Sequence, residues 1–153
     1  MKSIFVLIYS LLIGGHDPIN DTVNYPVKVN VSEKLLHSFN ERFPDAEQIS
    51  WQELPKTYIV NFVEYGVRSR IVYDKQGAFI SSTRYYQERD LPYYLLNILR
   101  KRYTGKTIFA VTEQTTDTEV EYYVKLQDDK IWLTIRMDSN GNLDIVEKYR
   151  KAS

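Results

Sequence analysis

The chain carries one pattern twice, and that repetition limits its possible folds more than any single residue does. At an offset of 60, Phe43, Ile49, Trp51 and Glu53 match Tyr103, Phe109, Val111 and Glu113. At an offset of 64, Tyr58, Val60 and Phe62 match Tyr122, Val124 and Leu126, while Ile71, Tyr73, Asp74 and Gly77 match Ile135, Met137, Asp138 and Gly141. The change of offset is a four-residue insertion, placed in the polar Gln114 to Thr118 stretch and read as a loop, where extra length costs little closure entropy.

Each copy opens on a helix. Ser32 is an N-cap, Val31 and Leu36 stand where a hydrophobic staple forms, and Leu35, Leu36, Phe39 and Phe43 make one apolar stripe that Pro44 ends. The second helix starts after Asp90 with Pro92 in its first turn. Leu91, Leu95, Leu99 and Tyr103 line its buried side, Arg100, Lys101 and Arg102 complement the dipole at its carboxyl end, and Gly105 closes it. Period-two alternation then predicts four strands per copy: Gln48 to Glu53, Thr57 to Glu64, Val67 to Tyr73 and Ala78 to Tyr85, then Thr107 to Glu113, Glu119 to Gln127, Lys130 to Met137 and Asn142 to Tyr149. A unit of about 55 residues buries too little apolar surface to stand alone. The expected class is therefore α+β: two tandem helix plus four-stranded antiparallel units forming one shared curved sheet, both helices on one face and the other face open. Residues 31–153 are read as a single domain with repeats at 31–86 and 90–150.

Composition narrows the function classes. With 153 residues, 43% hydrophobic and 26% charged, the chain suits one globular domain rather than a disordered tail or a multi-span membrane protein. Twenty basic side chains balance twenty acidic ones, so no global field recruits nucleic acid or anionic lipid. No cysteine is present, which removes disulfides, thiolate catalysis and Cys-based metal sites. Met1 to Gly15 reads as a secretory signal: Lys2 leads, and Ile4 to Ile13 form an apolar run shorter than the roughly 20 residues of a membrane span. Residues 16–30, polar and carrying Pro18 and Pro26, read as an extended lead-in. The expected location is periplasmic or secreted, with no membrane insertion after signal removal.

The segments Phe43 to Trp51 (FPDAEQISW), Tyr58 to Phe62 (YIVNF) and Val72 to Phe79 (VYDKQGAF), with Leu91-Pro92 opening the second copy, resemble the PepSY-like, beta-lactamase-inhibitor-like family of exported bacterial proteins. The resemblance covers nearly the whole chain after the signal. It implies a two-repeat fold, an extracytoplasmic setting and no catalytic residues. It also implies protein binding through the open sheet, because proteins of similar fold bind another protein that way.

Side-chain chemistry offers few enzymatic options. His16 and His37 are the only histidines; His37 lies opposite the helix stripe, so neither a Ser-His-Asp site nor a histidine metal site is supported. Asp138 to Asp144 superficially suggests a calcium loop, but glycine stands at the fourth position rather than the sixth and Tyr149 occupies the twelfth; a hairpin turn fits better. Glu119 and Glu121 share a strand face about 6.8 Å apart, near the spacing of paired glycosidase carboxylates, without the cleft such chemistry needs. No cofactor, metal or nucleic-acid partner is expected.

Strand parity divides the remaining side chains. Tyr122, Val124, Leu126, Ile131, Leu133, Ile135 and Met137 face the helices, leaving Glu121, Tyr123, Lys125, Gln127, Trp132, Thr134 and Arg136 outward. In the first copy Val67, Ser69, Ile71 and Tyr73 turn inward, while Arg68, Arg70 and Val72 turn out beside Ile59, Asn61, Val63 and Tyr65. Trp51, matched by Val111, is placed in the interior. One tyrosine of each pair at 85 and 86 and at 93 and 94 is expected to pack at the junction of the copies. Tyr, Trp and Arg concentrate interface energy, so the candidate binding residues are Tyr65, Arg68, Arg70, Tyr123, Trp132 and Arg136, serving a protein or peptide partner without catalysis. The alternative is a structural or small-ligand role in the cell envelope, with aromatics stacking on a glycan or an apolar ligand.

Overall fold

A computed structural model describes residues 29–152; the signal expected at 1–15 and most of the lead-in lie outside the described residues. Helix α1 (Glu33–Arg42) is followed by β1 (Glu47–Glu53), β2 (Thr57–Glu64), β3 (Val67–Asp74) and β4 (Phe79–Tyr86). A 3₁₀ turn at Glu88–Asp90 leads into α2 (Tyr93–Arg102), then β5 (Thr107–Thr116), β6 (Val120–Gln127), β7 (Ile131–Asp138) and β8 (Leu143–Arg150). The Ser32 hydroxyl caps α1 by accepting from the Leu35 amide at 3.3 Å, and Pro92 occupies the N-cap of α2. Gly105, at φ +80, supplies the left-handed residue after α2 that a side chain would resist.

The expected α+β class of two tandem helix-plus-four-strand units is corrected. The described residues are mostly sheet, a single eight-stranded antiparallel meander in the order β1 to β8, accompanied by two α-helices of only ten residues each. The strand junction explains why it does not divide into units. Ser81 to Tyr86 of β4 pair with Thr116 to Val111 of β5 in unbroken register, as continuously as neighbouring hairpins do. The Gln114–Thr118 stretch is corrected with it: β5 runs on to Thr116, so the insertion lengthens a hairpin arm that β4 also uses.

Both helices lie on one face. Leu35 and Phe39 of α1 pack on Tyr58, Val60, Phe62, Ile71 and Tyr73, with Phe43 and Trp51 at the margin. Leu95, Leu96 and Leu99 of α2 pack on Val111, Val124, Leu126, Leu133, Ile135 and Met137. Each such aliphatic side chain contributes about 1.5–3 kcal/mol when fully buried. The cores are two clusters rather than one, although Val67 of β3 belongs to the α2 cluster and so bridges the halves. Register shifts mark bulges in β1 between Glu47 and Ser50, in β4 at Ile80 opposite Val72/Tyr73, in β5 at Phe109 and in β8 at Val146 opposite Thr134/Ile135, and a bulge bends its strand and sharpens the twist.

The helices do not cover their whole face. Eight strands at about 4.8 Å spacing make a sheet about 34 Å wide, whereas each helix shields a band of about 10 Å. A cleft of about 840 Å³ remains beside α1, floored by Phe62, Ile71, Tyr73 and Phe79 and edged by Arg42 and Arg84.

Candidate functional site

The opposite face carries no helix among the described residues, and its side chains fall in cross-strand rows. In one row Arg68, Tyr85, Thr112, Tyr123, Arg136 and Asp144 stand in register from β3 to β8. The row behind it runs Asn61, Arg70, Thr83, Gln114, Glu121 and Asp138. From Arg68 to Arg136 is four strand spacings, about 19 Å, the width of a docked protein segment. Arg68, Arg70 and Arg136 are exposed, and Tyr123 is half-buried.

Of the six sequence-predicted residues, Arg68, Arg70, Tyr123 and Arg136 meet in these rows; the other two do not. Tyr65, at φ +50 in the β2–β3 turn, donates its hydroxyl to Asp45 beyond α1, at one end of the sheet and beside the helix-side cleft. That carboxylate disfavours deprotonation and pushes the phenol pKa up. Trp132 lies on the open face but at its far end, level with Gln127 and Tyr149. Its ring meets Phe109 edge-on at 5.0 Å and carries the Lys151 ammonium 4.8 Å from its centroid, so part of the indole is taken up by packing. The β5 bulge frees Phe109 from pairing, which lets its ring reach Trp132. Ile59 and Thr134, placed outward by parity, are nonetheless buried, and Thr134 donates to Glu147 at 2.8 Å.

Tyr85, Thr112, Thr83 and Gln114 complete the rows and were not among the expected binding residues, Tyr85 entering only as one of a tyrosine pair at the junction of the copies. Their signal was the parity of the β4–β5 pairing, visible only once Gln114–Thr116 is strand. Tyr86, by contrast, is buried and donates to Glu113 at 2.7 Å; burial first, then the Glu113 hydrogen bond, raises its pKa. Both Tyr93 and Tyr94 are exposed, so neither packs at the junction, and Tyr94 donates to the Ser139 carbonyl at 2.8 Å.

Charges on the open face are arranged unevenly. Arg136 is held between Asp144, at 3.0 Å, and Glu121, at 3.8 Å, and the Asp144 hydrogen bond raises its pKa further. Glu121 also accepts from the Tyr123 hydroxyl at 3.0 Å. Glu119, the second carboxylate of the expected pair, precedes β6 in the turn. The Arg68 and Arg70 side chains have no ion-pair or hydrogen-bond partner among the described residues. Both line a depression of about 380 Å³ with Gln48, Asn61, Val63 and Tyr85, and no carboxylate lines it.

The remaining motifs resolve into structure. Asp138 accepts from the amides of Asn140 and Asn142 at 2.8 and 3.0 Å, as Asp74 does from Gln76 and Ala78 at 2.9 and 2.8 Å, so both carboxylates serve hairpin turns. His37 is exposed and pairs with Glu41 at 3.2 Å. Among the described residues no group of three or more His, Asp or Glu is placed to hold a metal ion, and no helix is long and apolar enough to cross a membrane.

Solved structures of the same architecture carry the comparison further. A BLIP-like protein from Bacteroides fragilis superposes with a TM-score of 0.59 at 14% identity, over 88% of this chain and 94% of its own. The fold is BLIP-like. A DUF2874 family protein from Bacteroides uniformis superposes at 0.55 with 14% identity, over 78% and 88% of the two chains. A candidate periplasmic protein from Bacteroides eggerthii does so at 0.57 with 12% identity, over 80% and 90%. No family model and no curated protein matches the chain, so the PepSY part of the resemblance has no counterpart in these comparisons. At such identities the BLIP-like likeness establishes shared fold alone.

Proposed function

We propose that this chain is an exported, non-enzymatic binding module that docks a protein or peptide on the open face of its sheet, inhibition of an extracytoplasmic enzyme being one version of that role. One observation carries the reading: Arg68, Tyr85, Tyr123 and Arg136 stand in a single cross-strand row on a face that no helix covers among the described residues. Arg and Tyr combine large contact area with directional hydrogen bonds, and both are enriched among the residues that anchor interfaces. The BLIP-like and candidate periplasmic neighbours support a binding role outside the cytoplasm. Paired variants of the full chain as bait test it. Tyr123→Ala with Arg136→Ala should abolish capture of an envelope partner, whereas Tyr93→Ala with Tyr94→Ala, on α2, should leave capture intact. The reverse pattern, with both variants folded, would overturn the reading.

A second reading rests on the helix-side cleft. Its apolar floor of Phe62, Ile71, Tyr73 and Phe79 suits a small apolar ligand, the envelope ligand-binding role. Binding of an anilinonaphthalene sulfonate probe that Ser82→Trp abolishes without unfolding would favour it over docking.

A further inference from the structure

We infer that Arg68 and Arg70 receive an acidic segment of the partner, held extended along β3 with carboxylates at alternate positions. The inference rests on the docking reading above and names the partner chemistry at one end of the open face. Three observations converge. First, the two guanidinium groups share a depression of about 380 Å³ lined by Gln48, Asn61, Val63 and Tyr85 but by no carboxylate. Second, neither has an ion-pair or hydrogen-bond partner among the described residues, whereas Arg136, on the same face, is enclosed by Asp144 and Glu121. Two like charges this close are relieved by an anion, and the arginine fork accepts a carboxylate through two parallel hydrogen bonds.

Third, spacing selects the geometry. Positions 68 and 70 point to one face of a strand and lie about 6.8 Å apart, the separation of alternate residues in an extended partner. Strand addition is not available, because β3 pairs with β2 on one side and β4 on the other. Contact is therefore side chain to side chain. Asn61 and Thr83 stand in register on either side of Arg70, and Tyr85 stands beside Arg68. These amide and hydroxyl groups supply further donors to a bound carboxylate.

The probe is a fluorescein-labelled heptapeptide with glutamate at three alternate positions among threonines, followed by anisotropy with the full chain. Binding should weaken about tenfold in Arg68→Ala or Arg70→Ala and about a hundredfold in the double variant. Rising salt should weaken it too, and an isomeric peptide with its glutamates contiguous should bind several-fold less well. Both arginines are exposed, so the variants should unfold at the parent temperature. Equal affinity of parent and double variant, equal affinity for the two peptides, or preference for a heparin oligosaccharide would each overturn the inference. The docking reading fails separately. A captured envelope partner released by Tyr123→Ala with Arg136→Ala but retained by the arginine double variant would sink the acidic-segment inference alone; one retained by both variants would sink the docking reading as well.

Discussion

The α1 half and the α2 half of the sheet use similar residues in opposite ways. On the open face, the Arg68 and Arg70 side chains of the α1 half have no partner among the described residues, while Arg136 of the α2 half is tied to Asp144 and Glu121, and Thr134 to Glu147. Beneath the sheet the contrast continues. Phe39 is the hub of an aromatic cluster, 5.2 Å from Phe43, 5.3 Å from Trp51 and 5.1 Å from Phe62. The α2 core is larger and mainly aliphatic, with Leu95, Leu99, Leu126, Ile135 and Met137 fully buried. A satisfied network fixes side-chain positions, whereas cations without a counter-charge keep their pairing capacity, so the α2 half is pre-ordered where the α1 half is not.

The sharpest way to break that comparison is to empty each core in turn. Phe39→Ala removes the hub and should cost about 3–5 kcal/mol, and Leu99→Ala about 2–5 kcal/mol. Trp51 reports on the α1 half and Trp132 on the α2 half, so single-tryptophan backgrounds, Trp132→Phe and Trp51→Phe, read the halves separately in urea. Both reporters should move together, because β4 pairs continuously with β5 and Val67 enters the α2 core. Two separated transitions would mean that the halves unfold as independent bodies.

The seam between the halves comes next. Tyr86 donates to Glu113, which also pairs with Arg84 at 3.4 Å. Tyr86→Phe leaves a half-buried carboxylate short of a donor and should cost about 1.5–3 kcal/mol. Because the bond spans β4 and β5, the loss should appear equally in both tryptophan signals. A loss confined to one signal would place the seam inside that half.

Equivalent turns sharpen the comparison further. Gly77 and Gly141 adopt φ +85 and φ +86 in matching hairpins, so alanine at either costs about 1 kcal/mol for the left-handed backbone. A Cβ at Gly77 would sit an ordinary 3.7 Å from Leu35, but at Gly141 it would lie 2.5 Å from the Ile98 Cδ1. The atom in the way is the far end of a side chain that can rotate, so Gly141→Ala should lose only up to about 1 kcal/mol more than Gly77→Ala in chemical denaturation. Equal losses would show that Ile98 moves aside freely.

These features were not equally visible in the sequence. Strand positions and inward parity were legible because Val124 and Leu126 are interleaved with Lys125 and Gln127, and Val67, Ser69 and Ile71 with Arg68 and Arg70, and period two leaves one face per parity. The class was misjudged where local signals run out. Ten-residue helices look long enough to define units, and only the pairing of Ser81–Tyr86 with Val111–Thr116 reveals one uninterrupted sheet. For the same reason Thr112 went unnoticed and Tyr85 was read only as a junction tyrosine, since long-range register decides which residues stand beside Arg68. Tyr65 was misplaced by extending parity one residue into a turn with φ +50, where alternation no longer holds. Trp132 was placed on the right face, but its Phe109 neighbour arises from a bulge that no composition rule locates.

The smallest expected effect depends on pH and belongs to the α2 half alone. Asp128 accepts from Lys106 and, at 2.8 Å each, from the amides of Lys130 and Ile131, and these donors, Lys106 foremost, hold its carboxyl well below the usual range. Ala46 and Glu64 stand at the matching positions of the α1 half, so neither the lysine nor the aspartate is repeated there. A depressed folded pKa means that the stabilisation is complete above the unfolded value, near 4, and is lost as pH falls toward the folded one. Asp128→Asn should therefore melt below the parent at neutral pH, and the gap should narrow between about pH 5 and about pH 2. A gap that stays constant over that range would show that the aspartate acts through its turn geometry rather than its charge.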